Sequence, residues 1–490
     1  ILFARLYFRY CYGGDIMKAI ELKSVCFSYE GYNEEVLKNV NFSVNYGEVV
    51  LLSGFSGEGK STLLSIISGI IPNIISGHIT GEVLIDEKSI AGQTLSQICH
   101  KVGVVLQNAD SQIIHRIVED EISFGCENFA IPKDKIGTQI DRVCKIMKID
   151  KQAQTRALSG GQKQRLITAS TLATGQRILI LDEPLANLDI EGAIELMTIL
   201  RTLAKAGYAV LVVEHRLDMV MPFVDSVWNI SAGVVSKIEN KKEYLQSQTI
   251  TIEDHSQKHE NGKVLFNISH ISFKAQKKKI LKDINFNIFE GERVLLLGEN
   301  GCGKTTLLRL LARLYKPASG KIEQMIQPKL GKKKRGKKWF KTIGIVYQNP
   351  NYQLFMPTVE KEILFNAVSK EYAEEMIHLF GLDHLRKRHP QSLSEGQKRR
   401  VSIAAVAAGN PKVLLLDEPT VGQDYKGLCE LVKILDELHD KSRNTMITIT
   451  HDMRCAEALC DRAVLIADGV IQEQGSKELV HKYFFERNQA

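Results

Sequence analysis

GFSGEGKS at Gly54–Ser61 and GENGCGKT at Gly298–Thr305 decide the fold. Both match GxxxxGK[ST]. Each follows a short apolar run, VVLLSG (Val49–Gly54) or VLLLG (Val294–Gly298), and precedes an apolar-periodic stretch, STLLSIISGI or TTLLRLLARL. Strand, glycine loop and helix in that order let backbone N–H groups and a helix N-terminus wrap a phosphate. One match carries little weight; two in the same context carry the assignment. The first loop offers Gly54, Phe55, Ser56, Gly57, Glu58, Gly59, Lys60, Ser61 and Thr62. The second offers Gly298, Glu299, Asn300, Gly301, Cys302, Gly303, Lys304, Thr305 and Thr306. Lys60 and Lys304 can reach the outer phosphates of a bound nucleotide, and the Ser61 and Thr305 hydroxyls can ligate Mg²⁺.

Working outward, the chain reads as two copies of one unit. Lys60 and Lys304 are 244 residues apart. Gln107 pairs with Gln348, LSGGQ (Leu158–Gln162) with LSEGQ (Leu393–Gln397), LILDEP (Leu179–Pro184) with LLLDEP (Leu414–Pro419), and His215 with His451, at offsets of 241, 235, 235 and 236 residues. A duplicated unit of about 240 residues accounts for this order. Between the copies ENKKEYLQSQTITIEDHSQKHENG (Glu239–Gly262) is polar with little apolar periodicity and reads as a linker. The expected domains are 17–242 and 263–490, with a linker at 243–262. The runs ILILDE, AVLVVEH, VLLLDE and TMITITH are continuously apolar and β-branched, as in strands buried on both faces of a parallel sheet, so the fold class is α/β.

The carboxylates supply the second half of the chemistry. Asp182 and Asp417 close apolar strands, where each can hold Mg²⁺ through water, and Glu183 and Glu418 follow, placed to polarise an attacking water. An exposed acidic pair at a strand end is the plainer alternative, but it leaves the phosphate loop upstream in both copies unexplained.

Composition bounds the rest. The chain has 490 residues, 25% charged and 44% hydrophobic, enough for several packed cores and incompatible with a disordered or collagen-like chain. Nine Cys are odd in number and scattered, which indicates reduced thiols in a cytosolic setting and excludes a disulfide scaffold. No apolar run reaches the ~18 residues that span a bilayer. The net charge of +7 belongs to one segment. Lys329, Lys332, Lys333, Lys334, Arg335, Lys337, Lys338 and Lys341 carry eight charges with no acid among them, and without them the chain is at −1. A solvated insertion is the expected reading, with contact to anionic lipid or nucleic acid as alternatives. Residues 1–16, ILFARLYFRYCYGGDI, lack a strand or spanning pattern and read as an upstream extension ahead of Met17.

The order phosphate loop, Gln, LSGGQ, LDEP and strand-end His resembles that of the ATP-binding-cassette ATPases and covers the chain from Met17 onward. That resemblance implies two P-loop NTPase cassettes, each with a mostly parallel core sheet, an antiparallel β subdomain and a helical subdomain carrying the LSGGQ signature. It implies that Ser159 and Gly161, and Ser394 and Gly396, bind the γ-phosphate of ATP held by the other cassette, with Gly160, Gln162, Glu395 and Gln397 in the same ATP-binding motifs; Glu395 stands where the first copy has Gly, a position where the family varies. It further implies that Gln107 and Gln348 touch Mg²⁺, that Asp189 and Asp424 lie in loops reading the opposite site, and that His215 and His451 contact the γ-phosphate. Tyr29 matches the adenine-stacking aromatic. The second copy has Ala275 at that place, with Phe273 nearby, and weaker adenine packing is expected there.

Tandem cassette proteins of translation, ribosome recycling and DNA repair carry long charged linkers, Cys-rich domains, zinc modules or coiled coils, which this sequence lacks. QNADSQIIHRIVEDEISFG (Gln107–Gly125), QNPNYQLFMPTVEKEILFNA (Gln348–Ala367) and VVEHRLD (Val212–Asp218) resemble the ATPases of energy-coupling-factor importers of vitamins and transition metals. The resemblance implies a peripheral ATPase on the cytoplasmic face of a prokaryotic membrane. Its partners would be a transmembrane scaffold with coupling helices and a substrate-binding membrane component, with nucleic acid not expected. The competing reading is a soluble tandem ATPase acting on ribosomes or nucleic acid, with the basic run against RNA phosphates.

Overall fold

The computed structural model describes residues 17–32, 34–55, 57–186, 188–247, 262–275, 278–324, 342–423 and 425–485. Residues 1–16, the linker stretch 248–261, the basic run, Ser56 and Asp424 lie outside the described residues. The chain divides into two compact units, the first ending at Gln248 and the second beginning at Thr249.

The first unit contains β1 (Lys18–Tyr29), β2 (Leu37–Asn45), β3 (Val49–Gly54), β4 (Gly77–Ile85), β5 (Lys88–Ser89), β6 (Val102–Val105), β7 (Ile178–Asp182), β8 (Ala209–Val213), β9 (Ser226–Ser231) and β10 (Val234–Ile238). Strands β2-β1-β4-β5 form an antiparallel sheet, and β10-β9-β3-β8-β7-β6 form the core sheet, parallel except for β10. Every residue of β8 is buried, as are five of the six in β3, because both faces are covered. Side chains from the antiparallel sheet, the core sheet and the helix Lys60–Ile67, among them Phe27, Leu37, Leu52, Leu63 and Ile67, share one apolar cluster. The phosphate loop is thus seated on packed elements.

The second unit repeats the plan with β11 (Val264–Ala275), β12 (Lys278–Phe289), β13 (Arg293–Leu297), β14 (Ser319–Gln324), β15 (Ile343–Val346), β16 (Val413–Asp417), β17 (Thr445–Ile449), β18 (Arg462–Ala467) and β19 (Val470–Gly475). Its antiparallel sheet runs β12-β11-β14 and its core sheet β15-β16-β17-β13-β18-β19. In each unit three helices form a side layer: Val118–Asn128, Lys133–Met147 and Gly160–Ala173, or Val359–Asn366, Lys370–Leu379 and Glu395–Ala407. The expected α/β cassette architecture is present twice.

Topology assembles the site. Parallel pairing aligns Leu52 with Val213, Asp182 with Val213, and Val105 with Leu181. Hence the phosphate loop, Asp182–Glu183, His215 and Gln107 all emerge from the carboxyl edge of one sheet, where open α/β sheets bind ligands.

One finding differs from the sequence reading. Residues 241–247, read there as polar connection, form a helix (Lys241–Ser247). The Tyr244 hydroxyl lies 3.0 Å from Ser53 Oγ and 3.0 Å from Asn229 Oδ1, and Lys241 Nζ donates to the Val224 carbonyl at 2.8 Å. Tertiary anchoring orders a segment too short to show periodicity.

Candidate active site

Three glycines give the first phosphate loop its path. Gly54, Gly57 and Gly59 have φ of 147°, 83° and 105°, and Gly298, Gly301 and Gly303 repeat them at 142°, 82° and 113°. A Cβ on Gly54 would lie 2.4 Å from the Ile230 carbonyl oxygen, and one on Gly298 2.2 Å from that of Ile466. Only glycine fits these places. Lys60 Nζ donates to the carbonyls of Gly54 and Phe55, both at 2.7 Å; Lys304 Nζ donates to those of Gly298 and Glu299 at 2.6 and 2.9 Å. The ammonium is held against the loop, whose glycine-rich backbone is of the kind that can cradle a phosphate.

The carboxylates and histidines converge as the sequence predicts. Glu183 and Glu418 follow their strands with left-handed φ of 47° and 52°, which turns each side chain back across the sheet edge. His215 Nε2 is 3.2 Å from Glu183 Oε1, and His451 Nε2 is 3.3 Å from Glu418 Oε1. Gln107 Nε2 donates to Glu183 Oε2 at 2.5 Å, so Gln, Glu and His of the first unit form one cluster. In the second unit His451 Nε2 also lies 3.2 Å from Asn300 Oδ1 of the phosphate loop. The Thr305 hydroxyl donates to Asp417 Oδ1 at 3.1 Å. A hydroxyl beside a strand-end carboxylate is a hard oxygen donor pair and fits Mg²⁺.

Burial, then the like charge of Glu183, pushes Asp182 up to about 6. Asp417 is raised by burial too, with the Thr305 hydrogen bond working against the rise. For Asp182 the folded pKa exceeds the unfolded one, so its contribution to stability is complete below about pH 4 and is lost as pH rises through about 6. Asp182→Asn should therefore raise the thermal midpoint of the metal-free chain at pH 7.5 and have less effect at pH 4.5. Equal shifts at the two pH values would contradict this origin.

Both signature motifs are helix N-caps. Ser159 and Ser394 accept from the backbone N–H of Gln162 and Gln397 at 3.3 Å, and those glutamines accept in return from the serine N–H groups at 2.9 and 3.2 Å. S-x-x-Q is a capping box, a signal already present in the sequence. The reciprocal bonds fix the first turns of Gly160–Ala173 and Glu395–Ala407, where Gly160, Gly161, Glu395 and Gly396 present backbone N–H groups. Asp189 caps Ile190–Lys205 by accepting from Gly192 N–H at 2.9 Å.

The residues matched from sequence to an adenine-stacking position have different surroundings in the two units. The Tyr29 hydroxyl lies 2.8 Å from Thr62 Oγ1, and its ring stands edge-on to Phe27 at 4.9 Å. Ala275 ends β11, and Phe273 is engaged elsewhere, stacked on Tyr315 at 5.2 Å with 5° between the planes. Loss of one aromatic stack costs about 1 kcal/mol, so ATP should bind about fivefold more weakly at the Lys304 site. Calorimetric titration giving equal affinities would contradict this.

Other contributors were not legible. Gln164 Nε2 donates to the Gln107 carbonyl at 3.1 Å, linking the signature helix to the Gln107 loop. Arg399 does the same in the second unit, donating to the carbonyls of Tyr347 (2.7 Å) and Gln348. Burial lowers this guanidinium to about 10. Glu121 Oε2 accepts from the N–H groups of Ile114 and His115 at 2.8 and 2.6 Å, and Glu362 Oε2 from those of Phe355 and Met356 at 2.8 and 2.7 Å. Each buried carboxylate folds the turn after the Gln and leaves Ile114 or Phe355 outward, 68% and 65% exposed. The eight cysteines among the described residues are free thiols.

The family model for "ABC transporter" matches residues 37–186 and 281–421. "Putative HMP/thiamine import ATP-binding protein YkoD" of Bacillus subtilis is 34% identical, the match covering 93% of this chain and 91% of that protein. A "Putative ABC transporter ATP-binding protein" of Saccharolobus solfataricus is 31% identical over 95% of both chains. Among solved structures, the model of ribosome-bound archaeal Pelota and ABCE1 superposes with a TM-score of 0.70 at 21% identity, covering 94% of this chain and 80% of that one, a likeness of fold.

Proposed function

Because the chain belongs to the ABC transporter ATP-binding family and carries two cassettes, we propose that this ATPase drives an energy-coupling-factor-type importer of a vitamin or metal ion. The observation that carries the reading is the pair of carboxylate-braced turns after Gln107 and Gln348. Around the second lie Tyr352, Phe355, Phe365 and Val368, each at least 60% exposed, with the Phe355 and Phe365 rings edge-to-face at 5.5 Å. Around the first lie Leu106, Ile114 and Phe124. Apolar side chains clustered on a rigid helical subdomain suit the coupling helices of a transmembrane scaffold. A Bacillus subtilis relative named for HMP/thiamine import supports a vitamin-type cargo. No helix among the described residues is long and apolar enough to cross a membrane.

In the proposed cycle two ATP molecules bind between the cassettes, one on the Lys60 loop facing Ser394 and one on the Lys304 loop facing Ser159. Each lysine and its loop N–H groups hold the phosphates, and the other cassette's capped helix turn completes the grip. Ser61, Gln107 and Asp182, and Thr305, Gln348 and Asp417, would hold Mg²⁺, which neutralises phosphate charge when bound. Glu183 or Glu418 accepts the proton of the attacking water, and His215 or His451 orients that carboxylate and meets the γ-phosphate. Binding closes the cassettes, hydrolysis reopens them, and the scaffold follows.

Purification in detergent from native membranes tests the assignment. A hydrophobic scaffold and a small membrane component should co-elute. Salt-sensitive sedimentation with ribosomes and no membrane partner would overturn it in favour of the soluble reading.

A further inference from the structure

The two catalytic histidines are framed by different neighbours. In the first unit Glu214 and Arg216 bracket His215. Glu214 is 2% exposed. Its Oε1 accepts from the N–H groups of His215 (2.8 Å) and Arg216 (3.1 Å), and its Oε2 accepts from the N–H of Leu185 (3.0 Å). Arg216 Nη1 donates to the carbonyls of Leu185 (3.1 Å) and Leu188 (2.7 Å). One pair of side chains therefore holds donor and acceptor groups of the loop that joins Glu183 to Asp189.

In the second unit Thr450 and Asp452 bracket His451. The Thr450 hydroxyl meets that of Thr420 at 2.9 Å. Asp452 caps its own helix, Met453–Ala458, accepting from the N–H groups of Arg454 and Cys455 at 2.9 and 3.2 Å, and pairs with the Arg454 guanidinium at 2.7 Å. A carboxylate has no hydrogen to offer a carbonyl, so Asp452 cannot do what Arg216 does.

We propose that Glu214 and Arg216 are positioning residues that lock His215 to the Leu185–Leu188 backbone, coupling the first hydrolytic centre to the Asp189 loop through a carboxylate and a guanidinium that Thr450 and Asp452 do not supply in the second unit. Displacement of His215 then moves the loop, and displacement of the loop moves His215. Charge-assisted bonds from a buried carboxylate and a half-buried guanidinium are stiff enough to carry this. The proposal rests on the assignment of Glu183 and Glu418 as proton acceptors at separate centres.

Single-turnover hydrolysis of radiolabelled ATP tests it in chains with one centre silenced. In the Glu418→Gln chain, Arg216→Met should slow hydrolysis about tenfold while half-saturation by ATP stays within about twofold, and Arg216→Lys should restore most of the rate. Glu214→Gln, which loses the acceptor for Leu185 N–H, should slow it likewise. In the Glu183→Gln chain, Asp452→Asn should change the rate by less than about twofold. Unchanged rates for both Arg216→Met and Glu214→Gln, or equal sensitivity of the two centres, would overturn the coupling. If the Glu183→Gln, Glu418→Gln double variant itself hydrolyses ATP normally, the underlying assignment fails instead, so the two failures are distinct.

Discussion

Replacing Glu183 and Glu418 together by Gln is expected to slow ATP turnover by about 10²–10⁴-fold, the range supplied by general-base catalysis, while ATP stays bound. Both carboxylates occupy strand-end positions with left-handed φ beside a histidine Nε2, at 3.2 Å in the first unit and 3.3 Å in the second. Gln has the same shape, so these contacts and the backbone bonds Glu183 N–H to Val213 and Glu418 N–H to Ile449 survive. What is lost is the proton acceptor. The variant should accumulate a closed, ATP-loaded form, seen as nucleotide retained through gel filtration. Near-normal phosphate release would show that another group takes the proton.

Lys60→Ala should weaken ATP binding at the first site by at least about 30-fold, the effect of removing about 2 kcal/mol of buried charge-assisted contact, and leave the second site occupied. Lys60 is 7% exposed, and its bonds to the loop carbonyls of Gly54 and Phe55 are peripheral to the apolar packing of Leu63, Ile66 and Ile67. The thermal midpoint should accordingly stay within a few degrees. Loss of folding would make Lys60 structural. Filter binding with labelled ATP, alongside circular dichroism melts, separates the outcomes.

What the sequence disclosed was chemistry set by short stretches of chain. The glycine loops need left-handed backbone at fixed spacings, and the LDE motifs end strands that are apolar on both faces; both constraints are local and both were readable. The convergence of Gln107, Glu183 and His215 followed once parallel strands were recognised, because one sheet edge collects them. Contacts closed by side chains from distant segments were silent. Glu214 meets Leu185, Arg399 meets Tyr347 and Gln348, and Tyr244 meets Ser53, across 29 to 191 residues of chain. A polar residue in an apolar run, such as Glu214 after AVLVV, is visible in sequence, but its partner is not. The helix Lys241–Ser247 was missed for the same reason, its order coming from Tyr244 and Lys241 and not from its own pattern.

The internal repeat also separated shared parts from divergent ones. Ser53 and Asn229 face each other in β3 and β9, where the second unit pairs Leu297 with Leu465. The polar anchor of Tyr244 therefore belongs to the first unit, next to its phosphate loop. Such differences between otherwise matching halves are the natural place for unequal roles of the two centres.

In the proposed cycle each triphosphate is gripped by one half's lysine loop and the other half's serine-capped helix. Electron cryo-microscopy of the Glu183→Gln, Glu418→Gln chain with ATP and Mg²⁺ measures this directly. Ser394 Oγ is expected within about 3 Å of a γ-phosphate oxygen on the Lys60 loop, and Ser159 Oγ likewise at the Lys304 loop. Either triphosphate enclosed wholly by its own half, with the opposite serine turned away, would contradict it.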